Sequence, residues 1–227
     1  MAQHLDLEEQ EQIEQIKHFW NTWGNLITAV LVLAFGALAA WNGYQYWQNR
    51  QATQAAGLFD AFDMAARAGD MQKMEQAFGD LRASYASTVQ AAQAGMLLAK
   101  AQVDKDQLDA AKGTLAWVAS HAGDEAYQAL AHLRLSGVLM EQKALDEALQ
   151  QVAGNFPAPF EALAADRKGD ILMLMDKRKE AAAAYAQAYK TFAVESQYRR
   201  LVEIKLQALG AAPEANAASA PSPATKG

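Results

Sequence analysis

A long interval without a charged side chain constrains this chain more than any other feature of its sequence. No Asp, Glu, Lys or Arg occurs between Lys17 and Arg50. A helix from Trp23 to Trp41 would rise ~27 Å at ~1.5 Å per residue, close to the ~30 Å hydrocarbon core of a bilayer. Eight residues in that stretch are Leu, Ile, Val or Phe, and each favours insertion by about 0.3–0.6 kcal/mol. The sequence therefore predicts one transmembrane helix, and we assign residues 23–47 to the anchor.

Aromatic residues flank both ends of this apolar stretch. Trp and Tyr prefer the headgroup level of a membrane because each combines an apolar ring with one polar group. We expect the membrane-interface belt to consist of Trp20, Trp23, Trp41, Tyr44 and Trp47, with the lipid bilayer as the first partner of the chain.

Three other structures are alternatives for the apolar stretch. A buried core helix would rarely need aromatic residues at both ends, and an interfacial helix would not be apolar on every side. A cleaved signal peptide is compatible with the small residues around Ala37-Leu38-Ala39, but its leader should be basic. The leader at residues 1–22 is acidic instead, which favours an uncleaved signal-anchor.

The leader and the orientation of the anchor are less constrained. Residues 1–22 carry apolar positions at mixed spacings of three and four, as in an amphipathic helix. This helix could dock a cytoplasmic partner or simply extend the anchor. Lys17 precedes the apolar stretch and Arg50 and Arg67 follow it, so the positive-inside rule does not decide the orientation.

Residues 50–209 have the composition and the turn signals of helical hairpins. Strong helix formers dominate, strand-like alternation is absent and only Pro157 and Pro159 interrupt the segment. Glycine and polar residues predict turns at five places: residues 68–70, 104–106, 122–124, 142–143 and 176–178.

A repeat of about 34 residues, typical of tetratricopeptide hairpins, runs through this segment. Its alanines recur at intervals of 34, 37 and 33 residues, each preceded twelve residues earlier by a small residue and followed four residues later by a large one. Two helices cross closely only where small side chains meet. The four sets are Ala65, Ala77 and Leu81; Ala99, Ala111 and Leu115; Ser136, Ala148 and Val152; Gly169, Ala181 and Tyr185.

This pattern predicts an all-α fold. A single transmembrane helix precedes a tetratricopeptide-like array of about four hairpins, and a closing helix over residues 193–209 covers the last apolar face. An unrelated helical bundle is the alternative. From residue 210 to 227 Ala, Pro and Ser predominate, which predicts a disordered tail.

Several kinds of chemistry find no support in the sequence. Cysteine is absent and the net charge is −6, so a zinc-thiolate site, a Cys nucleophile and sequence-independent nucleic-acid binding are disfavoured. No phosphate loop, dinucleotide fingerprint or nucleophile elbow occurs. The four histidines lack ligand spacing; we interpret His132 as a packing residue, and Met173 and Met175 as core residues. We expect no cofactor, no metal site and no enzymatic activity.

A cluster of basic residues on the last hairpin and closing helix admits two interpretations. It comprises Arg167, Lys168, Lys177, Arg178, Lys179, Arg199 and Arg200. It could meet anionic lipid or an acidic partner, but a solvated face is the more economical interpretation.

The order of these features resembles one bacterial family, the ancillary SecYEG translocon subunits, from about Glu11 to Leu209. The resemblance rests on the acidic leader, Ile16-Lys17-His18-Phe19-Trp20, the anchor and its aromatic residues, Leu133-Arg134-Leu135, and Ala165-Asp166-Arg167-Lys168-Gly169-Asp170. It implies a single-pass inner-membrane protein with its amino terminus in the cytoplasm and its repeats in the periplasm. It also implies two partners, the SecYEG translocon and a membrane-anchored, prolyl-isomerase-like periplasmic chaperone.

The resemblance favours a scaffold that links translocating proteins to periplasmic chaperones. Scaffolds of other envelope machineries, for lipoproteins, cytochromes or division, would use the same architecture and remain the alternative. A hydrolase or isomerase is a third, disfavoured class.

Overall fold

The computed structural model describes residues 7–211, with side chains described for Glu14 and from Lys17 onward. The expectations for residues 1–6 and for the tail from residue 212 lie outside this range. The described part of the chain is helical without strands, and it divides into two compact units, residues 7–51 and 52–211.

The first unit consists of most of helix α1, which spans Leu7–Ala68. Among the described helices, α1 alone is long and apolar enough to cross a membrane. Its apolar side chains are exposed, with Leu33 at 73% and Phe35 at 67% of their full accessibility. Thr22 and Asn42 donate to the carbonyl oxygens of His18 and Leu38, each at 2.9 Å, so these polar groups are satisfied within the helix, as a lipid environment requires.

The second unit contains four helical hairpins and a closing helix. Residues 52–68 of α1 pair with α2 (Met71–Ser84), α3 (Val89–Asp104) with α4 (Leu108–His121), α5 (Glu125–Glu141) with α6 (Leu145–Gln151), and α7 (Ala158–Leu174) with α8 (Arg178–Thr191). Helix α9 (Gln197–Ala208) packs on α8. The prediction of about four hairpins with a closing helix is confirmed.

Side-chain caps and left-handed turns set the helix boundaries. Asp70, Thr88 and Asp124 each accept a hydrogen bond from a backbone N–H in the first turn of the helix that they precede. Asp106 and Lys143 adopt φ of 59° in the turns that close the second and third hairpins. All five turns predicted from the sequence lie between helices.

The closing helix begins later than expected. The sequence indicated a start at Ala193, whereas α9 begins at Gln197. Phe192 has an extended backbone, with φ −65° and ψ 139°, and ends α8. Ser196 is also extended and precedes α9. The four residues 193–196 therefore form a turn and do not belong to the helix.

Three apolar clusters run through the hairpins. The first joins residues 55–65 of α1 with α2 and α3, the second joins α3 to α7, and the third joins α7, α8 and α9. Many members are alanine, so the helices approach closely without bulky side chains between them.

Candidate functional site

A groove of about 800 Å³ lies along the first helices of the second, third and fourth hairpins. Helices α3, α5 and α7 pack side by side and form its walls. Half-buried apolar side chains line it, among them Val103, Leu130, Met140 and Leu163. Tyr198 of α9 is 58% exposed and also lines the groove. The lining is therefore apolar and open to solvent.

Two arginines bring positive charge into this groove. Arg134 donates from Nη1 to the carbonyl oxygen of Met96 at 3.4 Å, and Nη1 of Arg167 lies 3.8 Å from the Sδ of Met140. Within the described residues, neither guanidinium has a carboxylate oxygen within 4.0 Å. Both arginines thus keep charged N–H donors available to an anionic group.

A polar network beside the groove fastens the closing helix to the last hairpin. Nζ of Lys205 donates to Asp166 and to Asp170, at 2.7 Å in each case. The hydroxyl of Tyr185 donates to the same oxygen of Asp170 at 2.8 Å. One lysine of α9 is therefore held by two carboxylates of α7, one of which also binds α8.

Burial and charge together raise the pKa of three groups in this network. Burial raises the pKa of Asp166, and the charge of Asp170 raises it further, against the opposing effect of Lys205. Burial alone would lower the pKa of Lys205, but its bonds to the two carboxylates raise it overall. Burial and the bond to Asp170 raise the pKa of Tyr185. At neutral pH the lysine is charged and the tyrosine is protonated.

The structure places the twelve residues of the expected repeat signature inside the second unit. All of them are buried: Ala65, Ala77, Leu81, Ala99, Ala111, Leu115, Ser136, Ala148, Val152, Gly169, Ala181 and Tyr185. At Gly169 an added Cβ would lie 2.3 Å from Cε1 of Tyr185, so the ring packs directly on the glycine.

The expected belt residues are all exposed on α1. Trp20, Trp23, Trp41, Tyr44 and Trp47 each have more than half of their surface accessible. Tyr44 and Trp47 stack with their ring centroids 6.2 Å apart. Such exposure of large aromatic side chains is compatible with contact to lipid.

The remaining candidate residues have structural partners. His132 is half-buried, with Nδ1 3.0 Å from Oε1 of Gln151, and Met173 and Met175 pack against apolar clusters. In the part of the chain that the structure describes, no three His, Asp or Glu side chains come together as a metal site.

Three residues of the basic cluster have different surroundings. Arg167 enters the groove, Arg178 pairs with Asp176, and the guanidinium of Arg199 lies 4.3 Å from the centre of the Tyr189 ring. The sequence placed Arg167 in the basic cluster and Arg134 in a segment of the family resemblance, but it did not indicate a groove or the role of Lys205, because the partners of these residues are 27 to 39 residues away along the chain.

Comparison with known proteins places the chain in a family. A family model described as a tetratricopeptide repeat-like domain matches residues 17–211. An ancillary SecYEG translocon subunit of Neisseria gonorrhoeae is 35% identical over 213 residues, which cover 92% of this chain and 100% of that protein. The chain belongs to the ancillary SecYEG translocon subunit family.

More distant members of the same family also match over most of their length. The Escherichia coli ancillary SecYEG translocon subunit is 27% identical over 184 residues, or 81% of this chain and 88% of the relative. The Haemophilus influenzae protein of that name is 26% identical over 185 residues, or 82% and 90%. The resemblance inferred from the sequence is confirmed. The family is described by a repeat-like domain and a translocon subunit, not by an enzymatic activity, as the sequence predicts.

Proposed function

We propose that this chain is a membrane-anchored scaffold that associates with the Sec translocon. The observation that carries the proposal is the match to the whole length of a Neisseria gonorrhoeae protein named as an ancillary translocon subunit. An apolar α1 and a grooved helical array are the two parts that a tethered binding protein requires.

The anchor contributes to binding because it raises the local concentration of the array near the channel. A binding surface held in the same membrane as a channel meets emerging chains at a higher effective concentration than a free protein does. Weak contacts in the groove then suffice for capture and release. In this proposal the array holds a partner or an emerging chain near the channel, and no bond is made or broken.

We further propose the orientation and the second partner that the family resemblance implies. The amino terminus lies in the cytoplasm, α1 spans the inner membrane, and residues 52–211 lie in the periplasm. Trp20, Trp23, Trp41, Tyr44 and Trp47 form the interface belt on the two sides. A membrane-anchored, prolyl-isomerase-like chaperone binds the array and receives translocating proteins from it.

Recovery of partners from native membranes tests this function. The tagged full-length chain is solubilised in a mild detergent, and the proteins that copurify are identified by mass spectrometry. We expect translocon subunits and the chaperone. A matched chain that retains residues 1–51 and carries an unrelated helical domain should lose the chaperone, because the array is missing.

The composition of the recovered set decides between this scaffold and its alternatives. Recovery of lipoprotein, cytochrome or division proteins without translocon subunits would replace the proposal by another envelope scaffold. Recovery of translocon subunits without any chaperone would support the association with the translocon and would contradict the proposed link to a chaperone.

A further inference from the structure

We infer that the groove between α3, α5 and α7 binds a peptide segment in which acidic residues lie beside large apolar ones. The inference rests on the proposed scaffold function and names the chemistry of the segment that the array holds. It depends on two guanidinium groups, Arg134 and Arg167, that have no carboxylate oxygen within 4.0 Å among the described residues and lie in a largely apolar lining.

Both arginines line the groove beside α5. Arg134 and Gly137 are one helical turn apart, about 5 Å along the axis, and Met140 follows on the same face. An added Cβ on Gly137 would lie 3.3 Å from Nη1 of Arg167, and that same Nη1 lies near the Sδ of Met140. The glycine therefore leaves the space into which the arginine of α7 reaches.

Neither arginine has a carboxylate oxygen within 4.0 Å in the described part of the chain. Among the described residues that line the groove, Lys100 is paired with Asp104 and Asp166 with Lys205. Glu141 also lines the groove, and it forms no ion pair within 4.0 Å with either arginine. Three cationic side chains, Lys100, Arg134 and Arg167, and two carboxylates, Glu141 and Asp166, thus line the groove, and the charge of Arg167 also acts on Asp166. A ligand with carboxylates gains charge-assisted, bidentate bonds there.

The apolar lining requires more of the ligand than negative charge. Val103, Leu130 and Leu163 are only partly covered, and Tyr198 is mostly exposed at the groove. Large apolar side chains would bury this surface at roughly 25 cal/mol per Å². A polypeptide segment supplies carboxylates and apolar side chains at neighbouring positions, which is the combination that this lining fits.

The experiment measures peptide binding to the purified full-length protein in dodecyl maltoside. The probe is a fluorescein-labelled peptide in which glutamate lies between leucine and phenylalanine residues, and anisotropy reports its binding. We expect Arg134→Gln with Arg167→Gln to weaken binding at least about tenfold, because two charge-assisted contacts are lost. The same peptide with glutamine in place of glutamate should bind the unaltered protein about as weakly.

Matched variants separate the groove from general charge and from folding. Arg82→Gln removes one positive charge from an exposed position of α2 outside the groove, and it should change the affinity less than about twofold. Arg134→Lys with Arg167→Lys keeps the charge without the planar fork, and it should restore part of the affinity. Circular dichroism checks that each variant keeps its helix content.

Three results would overturn the inference. They are equal affinity for the glutamate and glutamine peptides, unchanged affinity after both arginine substitutions, and release of the peptide by phosphatidylglycerol added to the detergent micelles but not by unlabelled glutamate peptide. The last result would assign the arginines to lipid headgroups. Because no translocon is present in this assay, its failure leaves the association with the translocon standing, and loss of that association leaves the peptide result standing.

Discussion

The contact between Gly169 and Tyr185 explains why one residue of the last hairpin has to be glycine. The ring of Tyr185 is 3% exposed and its hydroxyl is bound to Asp170, so it cannot move aside freely. The backbone of Gly169 is helical, so its φ does not exclude other residues. A side chain is excluded because the ring of Tyr185 occupies the space that it would need. The corresponding residues of the third hairpin are Ser136 and Val152. In the fourth hairpin the larger residue, Tyr185, is therefore accommodated by the smaller one, Gly169.

We expect Gly169→Ala to lower the free energy of unfolding by about 1–2 kcal/mol. The added methyl group overlaps the ring at a cost of typically 1–3 kcal/mol, and the better helix propensity of alanine offsets up to about 1 kcal/mol of it. Urea unfolding of the full-length protein in dodecyl maltoside, followed by circular dichroism, measures the change.

Gly113→Ala is the matched control for this substitution. Gly113 is exposed in α4, and an added Cβ there would meet no atom within 4 Å, so the variant should gain up to about 1 kcal/mol. Tyr185→Leu combined with Gly169→Ala should cost less than the sum of the two single changes, since the overlap is relieved. Equal stability of the two alanine variants would contradict the steric argument.

At the scale of elements, the turns between helices were the most predictable part of the fold. Their glycine and polar residues are local signals, and the structure confirms all five positions. Asp176, for example, adopts φ of 58° after α7, a conformation that aspartate tolerates better than most residues. The predicted start of α9 was wrong by four residues, because Ala193 and Val194 have no local feature that excludes a helix.

The candidate site was much less predictable than the turns. Arg167 belongs to a run of charges that reads as a solvated face, and only the packing of α7 against α5 brings it to Gly137. Lys205 likewise binds carboxylates 35 and 39 residues earlier. Pairings at such separations depend on the tertiary fold, and no local pattern encodes them.

The network around Lys205 predicts how the closing helix responds to pH. The pKa of Lys205 and the pKa of Tyr185 are both raised in the folded protein. Each group therefore contributes stability that is present below its unfolded pKa, about 10 for both, and is lost as the pH rises further. We expect the free energy of unfolding to fall above about pH 10, measured by urea titrations at neutral and alkaline pH.

Lys205→Met should expose the opposite pH dependence. At neutral pH it leaves Asp166 and Asp170 facing each other without a cation, which we expect to cost about 1–3 kcal/mol. Because the pKa of Asp166 is already raised by burial, loss of the lysine raises it further, and the variant should regain stability as the pH falls. Lys100→Met, which removes an exposed ion pair with Asp104, should cost less than about 0.5 kcal/mol. Equal losses in the two variants would contradict the role of the network.

For the whole molecule, the hydrophobic content of 52% has two separate uses. In the first unit the large apolar side chains of α1 are exposed and available to lipid. In the second unit alanines are buried where helices cross, as at Ala111, Ala148 and Ala181. Membrane attachment therefore depends on a short part of the chain, whose eight Leu, Ile, Val and Phe residues together favour insertion by about 2–5 kcal/mol.

Two charges in the middle of that segment should abolish membrane attachment. Leu33→Arg with Val32→Arg adds about 5–7 kcal/mol at the bilayer centre, which exceeds the favourable contribution of the apolar residues. We expect the double variant to be extracted from membranes by alkaline carbonate, while the unaltered chain stays in the pellet. The control, Leu33→Val with Val32→Leu, keeps the apolar content and should remain in the pellet. Thermal unfolding of the second unit should be the same in both variants, because residues 52–211 form their own apolar clusters. Retention of the arginine variant in the pellet would mean that another part of the chain also holds it to the membrane.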